Sequence, residues 1–281
     1  MKLREGELYA QVAFSAAPEQ GFEAGGHGVL KGGSAWMPDN QINGVDFVLP
    51  FRFSEGAWQL GTRGPISLRI AEVVNQVTVK NIAADLQGAY PWSENNPLLL
   101  SDVSADLLGG KIIMQQLRMP QHDPALLRVQ NISSSELISA VNPKQFAMSG
   151  PVSGALPLWL DNEKWIIKDG WLTNPGPMTL RIDKDTADAV VKDNMAAGAA
   201  INWLRYMEIS HSWTKINLDN LGVLTMQSTV TGNSRVDGKV GTVNLNYTHE
   251  ENVFTLWRSL RFGDNLQAWL EQNAARSEER R

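Results

Sequence analysis

The sequence predicts a mainly β protein of antiparallel strands, with a few helices toward its C-terminal end. Three observations carry this reading. Apolar and polar residues alternate with period two through much of the chain, which gives an extended strand one dry and one wet face. Turn residues, Asp-Gly pairs among them, separate these runs, as expected for hairpins whose turns require positive φ. No strand–helix–strand alternation appears, and one-faced strands suit antiparallel neighbours.

Taken in order, Leu8, Ala10, Val12 and Phe14 form the first dry face, with Glu7, Tyr9 and Gln11 opposite. Gly25-Gly26-His27-Gly28 reads as a turn. It lacks the Lys-Ser/Thr of a phosphate loop, and no helix follows it. Val45, Phe47, Leu49, Phe51 and Phe53 make the longest alternating run, against Asp46 and Arg52. Ile66, Leu68 and Ile70, then Val77 and Val79, repeat the pattern. Hairpin turns are placed at Ser54-Glu55-Gly56, Gly109-Gly110, Lys168-Asp169-Gly170 and Asp237-Gly238. Ser133-Ser134-Ser135-Glu136 caps a short helix through Leu137, Ile138 and Val141, which Asn142-Pro143 ends. Strands resume with Val152, Leu156 and Leu158, and with Met178, Leu180 and Ile182. A long helix is expected from about Asp185 to Tyr206, striped by Ala187, Val190, Ala197, Ile201 and Leu204. Val243, Leu245 and Tyr247 form a late strand, and two amphipathic helices carrying Trp257 and Trp269 begin near Glu250. The chain divides softly into a β-meander over 1–145 and a β/α region over 146–281.

Composition narrows the function. The 281 residues carry 25 Lys+Arg against 30 Asp+Glu, a net charge of −5, which argues against a nucleic-acid partner. Cysteine is absent, which removes disulfides, thiolate metal sites and cysteine nucleophiles together. No apolar run reaches the ~20 residues that span a bilayer. Residues 1–6 show no signal peptide, and Met1 reads as the start of a piece of a longer protein.

Chemistry-bearing motifs are weak. His27, His122, His211 and His249 stand apart, so no metal and no cofactor is expected. Gly150-Pro151-Val152-Ser153-Gly154 lacks the spacing of a hydrolase elbow. Asp183, Asp185 and Asp188 suit a helix N-terminus better than a calcium loop. The reading is therefore of a protein that is not an enzyme. Its 10 tryptophans read mainly as core, with a sugar platform as the lesser alternative. The informative feature is the quantity of one-faced sheet, which the helical stripes are too few to cover. A second sheet, a closed barrel, or a bent sheet around an apolar groove would each resolve it. An open groove needs an apolar occupant, and acyl chains are one, at about 0.8 kcal/mol per buried methylene.

The later half adds a resemblance. Residues 150–158 (Gly-Pro-Val-Ser-Gly-Ala-Leu-Pro-Leu), 165–172 (Trp-Ile-Ile-Lys-Asp-Gly-Trp-Leu), Leu221-Gly222-Val223-Leu224, 243–252 and Leu256-Trp257-Arg258-Ser259-Leu260-Arg261 are laid out as in YdbH-like members of the AsmA-like envelope family. The chain resembles their C-terminal region over about 146–269. The resemblance implies an inner-membrane-anchored, periplasm-spanning carrier of phospholipid, with an apolar interior and a small outer-membrane lipoprotein at its C-terminal end. It supplies no catalytic motif.

Together these give an elongated, bent antiparallel sheet, taco- or groove-like, with helices capping the C-terminal part. Phe47, Leu49, Phe51, Ile66, Leu68, Ile70, Leu156, Leu158, Leu180 and Leu245 are expected to line the groove and replace water around acyl chains. The competing reading is an interaction scaffold that docks an envelope lipoprotein by strand addition at an open sheet edge. A sugar-acting enzyme ranks last.

Overall fold

The computed structural model describes residues 2–37, 40–75, 77–141, 146–183 and 205–255. Sixteen strands and one short helix run in the order β1(Lys2–Ala17), β2(Gly21–Met37), β3(Asn40–Ser54), β4(Ala57–Leu60), β5(Ile66–Val74), β6(Thr78–Tyr90), β7(Leu98–Leu107), β8(Gly110–Met119), β9(Ala125–Ser133), α1(Ser134–Val141), β10(Phe146–Ser149), β11(Pro151–Leu158), β12(Trp165–Thr173), β13(Met178–Ile182), β14(Tyr206–Asp219), β15(Val223–Val236) and β16(Lys239–Asn252). All strands belong to one sheet, and every pairing is antiparallel. β4 and β5 follow each other between β3 and β6, β12 and β13 share one side of β14, and β10 and β11 pair β13 and β12 in turn. Each of these pairs is one interrupted strand, so the sheet is an up-and-down meander of thirteen rungs. The ladder runs across residue 146 through the pairing of β9 with β11.

The sheet is a single layer. Among the described elements, the substantial contacts join ladder neighbours, plus α1 against β9 and β10. The chain exposes 18458 Å², where a compact monomer of its 31.0 kDa would expose about 12,000 Å². Among the described residues, no second sheet covers the dry face.

Several strands are bent rather than straight. Asn81 in β6, Asp102 in β7, Asn131 in β9 and Asp169 in β12 have φ of 51°, 51°, 51° and 57°. Asn and Asp tolerate this left-handed conformation better than other side chains, and each marks a β-bulge that bends and twists its strand. A bulge frees a backbone N–H from the ladder, and a polar side chain on the next rung accepts it. The N–H of Gly32 donates to Asp46 Oδ1 (2.9 Å), that of Asn131 to Ser153 Oγ (2.9 Å), that of Asp169 to Asn217 Oδ1 (2.8 Å) and that of Ser212 to Asn174 Oδ1 (2.6 Å). Glycine supplies a second bending device. A Cβ on Gly26, Gly88, Gly154 or Gly232 would lie 1.9–2.2 Å from a carbonyl oxygen of the neighbouring strand. The strands approach there as only glycine allows.

These devices correct two turn assignments. Gly25-Gly26-His27-Gly28 lies inside β2, and Lys168-Asp169-Gly170 lies inside β12 as a bulge. Positive φ at an Asp-Gly pair serves a bulge as well as a hairpin. The turns at Glu55-Gly56 and Asp237-Gly238 are where expected, and α1 begins where Ser133 Oγ accepts the Glu136 N–H. β16 continues to Asn252, past the expected helix start at Glu250. Asn252 Oδ1 then caps a helical turn by accepting the N–H groups of Phe254 and Thr255. The long helix, except at its end near Tyr206, and the pieces bearing Trp257 and Trp269 lie outside the described residues. No described helix is long and apolar enough to cross a membrane.

Candidate apolar groove

Cross-strand register shows which side chains share a face. Phe47 of β3 stands opposite Leu30 of β2 and Leu68 of β5; Val45 faces Ile70, and Phe51 faces Gly26 and Leu60. Leu30 and Gly28 extend this face to Leu8 and Ala10 of β1. In the other direction Leu68 meets Ala84, Ile66 meets Leu86, Leu86 meets Leu100, and Leu100 meets Leu117. Met114 meets Leu127, which meets Leu156, while Ala125 meets Leu158. The face continues through Ile167, Leu218 and Leu224, and through Leu180, Met207, Ile209 and Val230. One mainly apolar face thus runs from the first rung to the last, with Thr214, Ser228, His249 and Glu251 registering on it in the final rungs.

The bulges keep it on one side of the sheet. Alternation slips by one residue between Leu100 and Val103, Met114 and Leu117, and Val129 and Ile132. Without an extra residue at each slip, the rest of the strand would turn its apolar side outward. Two clusters result: Met114, Leu117, Met119 and Ala125, flanked by Leu98, Leu100, Val103, Leu127 and Leu158; and Met178, Met207 and Ile209, flanked by Met148, Val152, Leu180, Val230 and Val243.

The expected lining residues all register on this face. Phe47, Leu49, Phe51, Leu68, Ile70, Leu156, Leu158 and Leu180 are half-buried, held by their neighbours along the sheet and open above it. Ile66 is buried, at 7% exposure. The backbone of Leu245 pairs with Val230, and its side chain is outside the described set. Sequence reading placed Met178 on a dry face but missed Met114, Met119, Met148 and Met207 and the inner-face glycines. Their signal was the one-residue slip beside an Asn or Asp, which a search for strict alternation discards.

The opposite face carries charge pairs, with Tyr9, Val48, Leu126 and Trp213 exposed among them. Arg69 Nη1 donates to Asp85 Oδ1 (2.9 Å), Lys215 pairs with Asp169 (3.2 Å), and Lys111 with Asp106 (3.5 Å). A hydrogen bond from Asn81, with help from Lys111, holds the Asp106 carboxyl below the usual carboxylate range. Trp171 and Trp213 stack on this face, with centroids 5.0 Å apart and planes 7° from parallel. Among the described residues, no group of three His, Asp or Glu is placed to hold a metal ion, and no buried side-chain polar atom lacks a partner.

Among the described residues, a one-layer meander with a long apolar face that no described element covers defines a class: a β protein with an extended apolar surface outside any two-layer core. The chain belongs to the YdbH-like family, described as "Intermembrane phospholipid transport protein YdbH", with residues 1–275 matched. It is also 83% identical over 274 residues to the "Probable phospholipid transport protein YdbH" of Escherichia coli (strain K12), an alignment covering 98% of this chain and 31% of that protein. The chain thus spans about a third of the length of this curated relative. No solved structure matches.

Proposed function

We propose that this chain is a segment of a phospholipid carrier and that its inner face holds acyl chains. The observation supporting this most is the long, mainly apolar face with no described protein layer over it. Monomers rarely leave so large an apolar area uncovered. A second sheet or closed barrel would have satisfied the face internally, and neither is present among the described elements. Phe47, Leu49, Phe51, Ile66, Leu68, Ile70, Leu156, Leu158, Leu180 and Leu245 line the floor, and the bulged strands curve it into a trough. Residues 1–145 and the rungs after 146 contribute to one groove. Holding a lipid this way needs no covalent chemistry, only ~0.8 kcal/mol for each methylene removed from water.

The family description names intermembrane phospholipid transport, which supports a periplasmic setting; anchoring of the longer protein in the inner membrane is part of the same proposal. Among the described residues, β16 is paired on one side only, with β15. Its other edge suits a strand from a small outer-membrane lipoprotein, which would extend the trough by one rung. The scaffold reading thereby becomes part of the carrier reading.

Transfer between vesicles tests it. The purified chain should speed movement of a fluorescent phospholipid from donor to acceptor vesicles in proportion to its concentration. A folded chain that neither accelerates transfer nor takes up the lipid would overturn the proposal.

A further inference from the structure

The inner face changes character at its last rungs. On β7, β8, β9, β11 and β12, the register that carries Leu100, Leu117, Leu127, Leu156 and Leu172 meets only apolar residues and glycine. Past the register shift after Ile209, β14 presents Ser212, Thr214, Ile216 and Leu218 to the same face. On β15, Ser228 stands opposite Thr214, between Val230 and Met226. A hydroxyl seam thus separates two apolar patches. On one side lies the cluster of Met178, Met207 and Ile209 with Val230, and on the other lie Ile216, Leu218, Leu224 and Met226.

Most polar groups on this part of the face are already engaged. Ser212 Oγ donates to Asn174 Oδ1 (2.9 Å), and the buried Ser234 Oγ donates to the Tyr206 carbonyl (2.8 Å). His249 and Glu251 pair with each other at 3.2 Å. Thr214 and Ser228 differ. Their oxygens lie 2.8 Å apart, so one hydroxyl donates to the other. Two O–H protons share that single bond, and the second has no acceptor among the described residues. The pair is half-buried, and in an empty trough water takes this proton. Hydrocarbon lying over the pair displaces that water. An O–H left unpaired in apolar surroundings is unfavourable, so the proton then needs another acceptor. An acyl chain brings one with it, the carbonyl oxygen of the ester at which it begins.

We propose that the Thr214–Ser228 pair is a seat for the ester carbonyl of a bound phospholipid, its spare hydroxyl donating to that oxygen while the attached chain lies on one of the two flanking patches. This inference rests on the carrier reading above and adds a fixed position and a selectivity. Upstream, an apolar floor holds a chain equally well wherever its carbons fall. At β14 and β15 the ester sets the place of the lipid along the trough. A lipid with ether-linked tails has the same hydrocarbon and no carbonyl, and it gains nothing there.

The purified chain is offered an equimolar mixture of dipalmitoyl phosphatidylcholine and its dihexadecyl ether analogue, at less than one lipid per chain. Native mass spectrometry reads which lipid the singly loaded chain carries. The expected result is a diester excess of about three- to tenfold, the worth of one neutral hydrogen bond. Thr214→Val, Ser228→Ala removes both hydroxyls at nearly constant size and should abolish the excess while keeping total loading. Each single variant leaves one hydroxyl with its proton free, so either alone should retain the excess, a pattern that packing would not produce. Thr229→Val, on the opposite face, should change nothing. A parent that carries both lipids equally, or an excess that persists in the double variant, overturns the proposal. A second reading needs no variant: the ester carbonyl stretch of the bound lipid should contain a lower-frequency, hydrogen-bonded component, and its absence also overturns the proposal. A folded parent that loads neither lipid refutes the carrier reading itself.

Discussion

Gly28 separates folding from lipid binding at one position. It lies on the inner face of β2, between Ala10 of β1 and Leu49 of β3. A Cβ there would meet no atom within 4 Å, and its φ is not in the left-handed region. Gly28→Leu and Gly28→Asp should therefore both build without a clash. Replacing a strand glycine recovers about 0.5–1 kcal/mol of backbone entropy, so neither variant should lose its fold. Their effects on lipid diverge. A carboxylate on the floor keeps its water and denies an apolar neighbour to on the order of three methylenes, at about 0.8 kcal/mol each. The loss of ~2.4 kcal/mol is about 50-fold in affinity. The leucine adds apolar floor and should bind at least as well as the parent. Titration with a pyrene-labelled phospholipid, beside thermal unfolding, measures both quantities. If Gly28→Asp binds as tightly as Gly28→Leu, acyl chains do not lie on this face beside Leu49, and the reasoning fails.

Other outcomes follow from the same structure. Gly26→Ala, two residues away, puts its Cβ 2.2 Å from the Gln11 carbonyl oxygen and should destabilise by about 1–3 kcal/mol in denaturant unfolding. The double variant Phe51→Asp, Leu68→Asp should keep its far-ultraviolet spectrum and lose lipid uptake, with parental uptake counting against the lining. Asn217→Ala removes the acceptor of the Asp169 N–H at the β12 bulge; it should cost about 0.5–1.5 kcal/mol, visible as faster amide exchange at Asp169. The lowered pKa of Asp106 means that its ionised form is favoured in the folded chain. Its contribution is present above the usual carboxylate range and is lost as pH falls through the lowered value. The melting difference between parent and Asp106→Ala should therefore shrink on acidification. Solution scattering should give a radius of gyration clearly above the ~19 Å of a compact chain of this length.

The sequence shows the strands where alternation is strict, because a one-faced sheet writes its burial directly into period two. β3 and β5 are legible for that reason. β7, β8 and β9 are not, because each changes phase in mid-strand. Asp102 and Asn131, which absorb the slip in β7 and β9, look like ordinary surface residues until their φ is known. The glycines of β2 mislead in the opposite way, since glycine marks close strand approach as readily as a turn. Most of the inner-face residues could be named because face membership depends only on parity within a strand. Whether the dry faces met each other or stayed open could not be read, because a sandwich and a trough demand the same alternation.

Native mass spectrometry of the purified chain, repeated after organic extraction, tests the central claim most directly. An apolar face that no described element covers predicts mass increments equal to one or more phospholipids, recovered in the extract and lost from the protein. A folded chain from lipid-rich membranes that carries no added mass would contradict it.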